Sequence, residues 1–130
     1  MVIKKIYKAT LWVQGVYSLL TALWGLIDID SFMRVTGPKT DIWLVKTVSV
    51  LLVAISIVLL TQIFRNSDPL PVILLALLTA IGLAYIDFYY SGNEVISQVY
   101  TIDGIAQVMF AIIWLIVLLY SNTVEGRKKG

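Results

Sequence analysis

Apolar residues fill this chain in four long blocks, and polar residues gather in the short gaps between them. No Asp, Glu, Lys or Arg falls within residues 9–27, 47–64, 69–86 or 104–124. A helix needs roughly 20 mostly apolar residues to cross about 30 Å of hydrocarbon, and each block approaches or exceeds that length. The pattern predicts four membrane-spanning helices over approximately 8–27, 40–64, 69–90 and 101–121. Together they use most of the chain and leave room for one transmembrane domain over 1–130. The expected fold is an all-α integral membrane protein, a four-helix transmembrane bundle of up-down topology with short loops.

A finer pattern lies inside the blocks. On a wheel of 3.6 residues per turn, the first helix aligns Gln14, Ser18, Thr21, Gly25 and Asp28. The second aligns Lys46, Ser49, Val53, Ser56 and Leu60. The third aligns Ala76, Ala80, Ala84 and Asp87, and the fourth Asp103, Gln107, Phe110 and Trp114. Each helix thus has one face of small or polar residues. Lipid tails are as apolar as leucine, so close backbone packing and interhelical hydrogen bonds hold such helices together. These faces are expected to point inward.

Breakers set the loops. Residues 28–37 read as the first loop, closed by Gly37 and Pro38. Pro38 suits a first helical turn, where a missing N–H costs nothing. Thr40 and Asp41 offer acceptors to free amides there. Arg65, Asn66, Ser67 and Asp68 form the second loop, and Pro69 and Pro71 open the third helix. The third loop covers about 90–100, and 126–130 reads as a basic tail at the lipid surface. The start of the chain, MVIKK before an apolar run, has the charge of a signal peptide. The run is too long for one and lacks an Ala-x-Ala site, so it reads as a retained first span.

Composition narrows the chemistry. The chain is 59% hydrophobic and 14% charged, against about 45–50% and about 25% in ordinary soluble domains. It has no cysteine and no histidine. That removes disulfides, thiol nucleophiles and Ser-His-Asp catalysis, along with zinc, copper and haem sites of the usual kinds. No metal or cofactor is expected, and a net charge of +2 gives no case for nucleic acid.

The charges divide between the two ends of the bundle. Lys4, Lys5, Lys8, Arg65, Arg127, Lys128 and Lys129 share the end that carries both termini; only Arg34, Lys39 and Lys46 lie at the other. The positive-inside rule places the termini in the cytoplasm. The expected location is the inner membrane, in a multi-pass arrangement. The acids lie oppositely: Asp28, Asp30, Asp41, Asp87, Glu94 and Asp103 face outward, whereas Asp68 and Glu125 face inward. Most aromatic residues fall near the two interfaces, as in an aromatic belt.

The outward acids supply the candidate site. Asp28, Lys46, Asp87, Asp103 and Gln107 are the candidate ligand-binding residues, with Arg34, Lys39, Asp41 and Trp43 as a rim. Lys46 lies about one turn inside the second helix. It either snorkels to water or pairs with a carboxylate, as intramembrane charges usually do. Asp87 is the preferred partner, with Asp103 and Asp28 as alternatives. One lysine cannot neutralise three carboxylates, which leaves room for a cationic ligand or a proton. The plain alternative is a solvated rim where acids end helices. Gln14 is expected to make an interhelical hydrogen bond, and Trp114 to pack.

Residues 35–48, VTGPKTDIWLVKTV, follow a first helix ending in GLIDIDSF. This segment resembles small bacterial four-helix membrane proteins broadly grouped as DoxX-like, and chain length and helix count agree with them. Some DoxX-like proteins are associated with quinone-linked oxidoreductase complexes. No residue here carries that activity. Small multidrug exporters are similar in size, but they use a carboxylate in the middle of helix one, where this chain is uncharged.

The first functional expectation is a binding protein that holds a lipid-like or small amphiphilic ligand in an outward-facing polar pocket. The alternative is an accessory subunit of a larger membrane complex, such as a quinone-linked oxidoreductase, without chemistry of its own. The expected partners are the lipid bilayer, the lipid-like ligand, and a membrane protein or a second copy. No catalytic residue is assigned: Asp and Lys acid–base chemistry has no support beyond residue type. A transporter needs polar residues through the full depth, and the stripes become small and apolar below Ser56 and Ala80.

Overall fold

The computed structural model describes residues 2–93 and 95–129, with side chains as far as Ser121. Glu94, the side chains of Glu125, Arg127, Lys128 and Lys129, and the environment of the basic tail lie outside the described residues. The chain forms helices α1 (Val2–Ile27), α2 (Ile29–Thr36), α3 (Ile42–Gln62), α4 (Leu70–Gly92) and α5 (Val99–Lys129). No strand occurs among the described residues. Four helices are long and apolar enough to cross a membrane: α1, α3, α4 and the Val99–Ser121 part of α5. The shortest, α3, has 21 residues and so spans about 32 Å at 1.5 Å per residue. This is a helical, multi-pass membrane architecture.

The bundle is built from two close pairs. α1 packs along α3, and α4 along α5; α1 meets α5 and α3 meets α4 through smaller contacts. The faces expected to point inward supply these seams. Ser18 and Gly25 are buried on α1, Ser49 and Ser56 on α3. On α4 the series Ala76, Ala80, Ala84 and Asp87 is buried throughout. Alanine has no side chain beyond Cβ, so α5 can lie close along this face. The opposite faces carry Leu20, Leu51, Ile57, Leu78 and Ile116, all exposed. In a bilayer those side chains meet lipid.

Gln14 joins three helices at mid-depth. Its Nε2 donates to the Ala76 carbonyl of α4 at 3.2 Å, and its Oε1 accepts from the Trp114 indole of α5 at 2.5 Å. Both side chains are essentially shut off from the surface. The amide satisfies its hydrogen bonds internally, so Gln14 is a structural tie. Trp114 also meets the Tyr7 ring edge-on at 5.9 Å.

The first connection departs from expectation. Residues 28–37 are not an irregular loop, because α2 occupies 29–36. The Asp28 carboxylate accepts the Ser31 N–H at 3.2 Å and caps the first turn. Phe32 and Thr36 then fall four apart on one buried face. The Trp24 indole donates to Ser31 Oγ at 2.7 Å, and Phe32 meets the Trp24 ring edge-on, tying α2 back onto α1. Gly37 ends the helix with φ 100°, a conformation that favours glycine. The Asp28-to-Ser31 spacing was a readable cap; it was outweighed by the polar character of the segment.

Candidate functional site

The two ends of the bundle differ in chemistry. At the acidic end, α4 finishes and α5 begins. Asp103 sits one turn into α5, and Gln107 follows one turn deeper on the same face. Asp87 comes a little more than one turn before the end of α4. The Asp87 and Asp103 carboxyls face each other across the α4–α5 seam. Gly104 makes this approach possible, because a Cβ there would lie 3.1 Å from Asp87 Cβ and 3.0 Å from the Phe88 ring.

Hydrogen bonds knit part of the cluster. The Tyr17 hydroxyl of α1 donates to Asp103 Oδ1, and Gln107 Nε2 donates to the same oxygen at 3.4 Å. Tyr17 also leans on the Phe110 ring, with centroids 5.9 Å apart. Two acceptors remain. Asp87 Oδ2 and Gln107 Oε1 are buried and receive no hydrogen bond, in side chains only 4% and 2% exposed. Buried polar atoms are normally paired, and an unpaired one costs roughly 1–3 kcal/mol. Gln107 Oε1 calls for a donor, and Asp87 Oδ2 either accepts one or carries the proton that the facing carboxyls share. Asp103 is half-buried and connects them towards the end of the bundle.

A polar cap lies one turn beyond. Ser91, one turn after Asp87, is buried. Its carbonyl accepts from Gln98 Nε2 at 2.9 Å, and its hydroxyl accepts from Thr101 at 3.0 Å. These bonds fold the α4–α5 connection over the seam.

The remaining sequence candidates lie elsewhere. Lys46 is exposed and forms no ion pair among the described residues, so the expected pairing with Asp87 is not made. The reason is positional: α3 packs chiefly on α1, whereas Asp87 faces α5. Asp28 is exposed and serves as the α2 cap, and its carboxyl lies below the usual carboxylate range because it accepts hydrogen bonds from Ser31. Arg34 and Asp41 are exposed, and Trp43 stands 65% exposed at the start of α3. Lys39 does fold back over this end. Its ammonium reaches the Gly37 and Thr36 carbonyls at 3.4 and 3.5 Å and lies 5.0 Å from the Tyr100 ring centre. It thereby caps the C-terminus of α2 and leans on α5.

The structure therefore unites Asp87, Asp103 and Gln107 and separates them from Asp28 and Lys46. Tyr17 joins the cluster although the sequence reading passed over it. Its position three residues after Gln14, on the flank of the polar stripe, was the available signal. Among the described residues no group of three or more acidic side chains is placed to hold a metal ion. Comparison with family models, curated proteins and solved structures finds no match.

Proposed function

We propose that this protein binds a lipid-like or small amphiphilic molecule at the acidic end of its bundle, and that Asp87, Asp103 and Gln107 receive the molecule's polar head. The carrying observation is that two buried atoms, Asp87 Oδ2 and Gln107 Oε1, have no hydrogen-bond partner among the described residues, beside a facing pair of carboxyls. An ammonium or a hydroxyl head supplies what they require, whereas a carboxylate or phosphate head is repelled. Tyr17 holds Asp103 in place from α1. Bundle interiors are a usual location for such sites. The charge distribution supports an inner-membrane protein with cytoplasmic termini, which puts this site on the outward side. A resemblance of residues 35–48 to DoxX-like membrane proteins would fit that setting.

Native mass spectrometry on protein released gently from its own membranes tests the reading. The expected result is a retained small molecule that is lost in Asp87→Asn and kept in Lys46→Met, since Lys46 stands outside the cluster. Equal retention in both variants would overturn the assignment. A bare chain would favour the accessory-subunit reading, which crosslinking would then pursue.

A further inference from the structure

The other end of the bundle carries a second, oppositely charged site. Lys4 and Lys8 are four residues apart and share one face of α1 with Ile3 and Tyr7. Beside them runs the turn between α3 and α4, with Arg65, Asn66 and Ser67. With α4 and α5 these elements line an open cavity of about 320 Å³. Its rim holds Lys4, Lys8 and Arg65, and among the described residues no carboxylate lines it. Its floor is apolar, formed by Ile3, Ile73 of α4 and Val117 of α5.

Three further features fit an anion. The start of α4, at Pro69, borders the cavity, and the N-terminus of a helix carries partial positive charge. Asp68, the nearest acid in the sequence, does not line the cavity; its Oδ1 accepts the Leu70 N–H at 3.1 Å, although its charge still reaches the Tyr7 hydroxyl. The Tyr7 hydroxyl is buried beside the Gln62 amide, which can donate to its oxygen, and its own O–H meets no acceptor in full hydrogen-bond geometry. Gln62 is itself held by Ser67, through bonds of 3.1 and 3.3 Å. A phenol that can donate thus stands between a cationic rim and an apolar floor.

We propose that this cavity binds the phosphate of an anionic membrane lipid. Lys4, Lys8 and Arg65 take the phosphate oxygens, the Tyr7 hydroxyl donates a hydrogen bond, and the first part of the acyl chain lies against Ile73 and Val117. Basic pockets between membrane helices at an interface are a known way to hold such headgroups. A soluble phosphate ester shares the rim chemistry, but leaves the apolar floor uncovered. The proposal is independent of the site at the acidic end.

Diffuse attraction of a basic surface for anionic lipid is the effect to separate. Lys5 provides the control: it carries the same charge on the same turn and does not line the cavity. The experiment titrates detergent-solubilised full-length protein with phosphatidylglycerol and, separately, phosphatidylcholine, reading bound lipid by native mass spectrometry. Phosphatidylglycerol is expected to bind with one-to-one stoichiometry and phosphatidylcholine at least tenfold more weakly. A Lys8→Gln/Arg65→Gln variant should weaken phosphatidylglycerol at least tenfold, Tyr7→Phe a few-fold, and Lys5→Gln less than twofold. Equal losses in Lys5→Gln and Lys8→Gln single variants would overturn the site in favour of diffuse attraction. Competition by glycerol phosphate at concentrations comparable to the lipid would overturn the lipid assignment and leave a soluble phosphate ester as occupant. Circular dichroism of each variant confirms that it is folded.

Discussion

At the scale of single residues, the bundle depends on a few buried polar side chains whose hydrogen-bond partners lie on neighbouring helices. Gln14 and Trp114 are the clearest case, since their bond links α1 to α5 in a region closed to water. Trp114→Phe removes the indole donor, keeps an aromatic ring and leaves Gln14 Oε1 unpaired. Interhelical hydrogen bonds in membranes average about 0.6 kcal/mol, reaching about 1–2 kcal/mol in model peptides. A loss near the upper end is expected, because packing is lost as well. Unfolding in mixed micelles, followed by circular dichroism, measures it. Gln14→Leu and Trp114→Phe combined should cost less than their sum, since one bond cannot be broken twice. Strict additivity would mean that the bond contributes nothing. Much of this scale was legible in the sequence. Helical periodicity identified Gln14, Gln107 and Trp114 as inward, and all three are buried. Tyr17 was not legible, because an aromatic ring on the flank of a stripe reads as apolar filling. Its hydroxyl gains meaning only once α5 is known to lie beside α1.

At the scale of elements, the long helices follow from apolar length, whereas the short one follows from a cap. The four spans were readable because charge-free runs of about 20 residues have few other uses. α2 was hidden because eight residues of mostly polar character read as a loop, although their apolar residues do recur on one helical face. Its dependence on Asp28 has a consequence for pH. The Asp28 carboxyl lies below its ordinary range because the ionised form accepts hydrogen bonds from Ser31. A carboxyl depressed in the folded state stabilises that state above its unfolded pKa and loses this contribution as pH falls through the folded value. The start of α2 should therefore loosen only in acid, below the usual carboxylate range. The Trp24 indole reports on it, since it donates to Ser31 Oγ. In nuclear magnetic resonance spectra of the protein in micelles, the Trp24 indole N–H signal should shift over that acid range. Asp28→Asn keeps an acceptor at the cap and removes the titration, so its signal should stay in place over the same range. An unchanged response in Asp28→Asn would detach α2 from its cap.

At the scale of the whole molecule, two ends of opposite charge are joined by an apolar middle. The sequence exposed that polarity through counts of lysine, arginine and acids, but not which helices stand side by side. Lys46 and Asp87 are both near the acidic end, yet the pairing of α1 with α3 and α4 with α5 keeps them on different seams. Neighbour relations depend on how four faces fit together, and no single helix contains that information. The polarity itself yields a clean test of orientation. The chain has no cysteine, so one introduced thiol is the only thiol. Asn66 lies in the turn between α3 and α4, Asn93 just past the end of α4, and both are exposed. Asn66→Cys and Asn93→Cys should fold normally and react on opposite sides of the membrane. With the basic end inward, a membrane-impermeant maleimide added to intact spheroplasts should label Asn93→Cys, and should label Asn66→Cys only after lysis. The reverse pattern would turn the protein over, putting the acidic site in the cytoplasm and the basic cavity at the outer leaflet. Labelling of both thiols from one side would break the four-span topology itself, since α4 alone separates them.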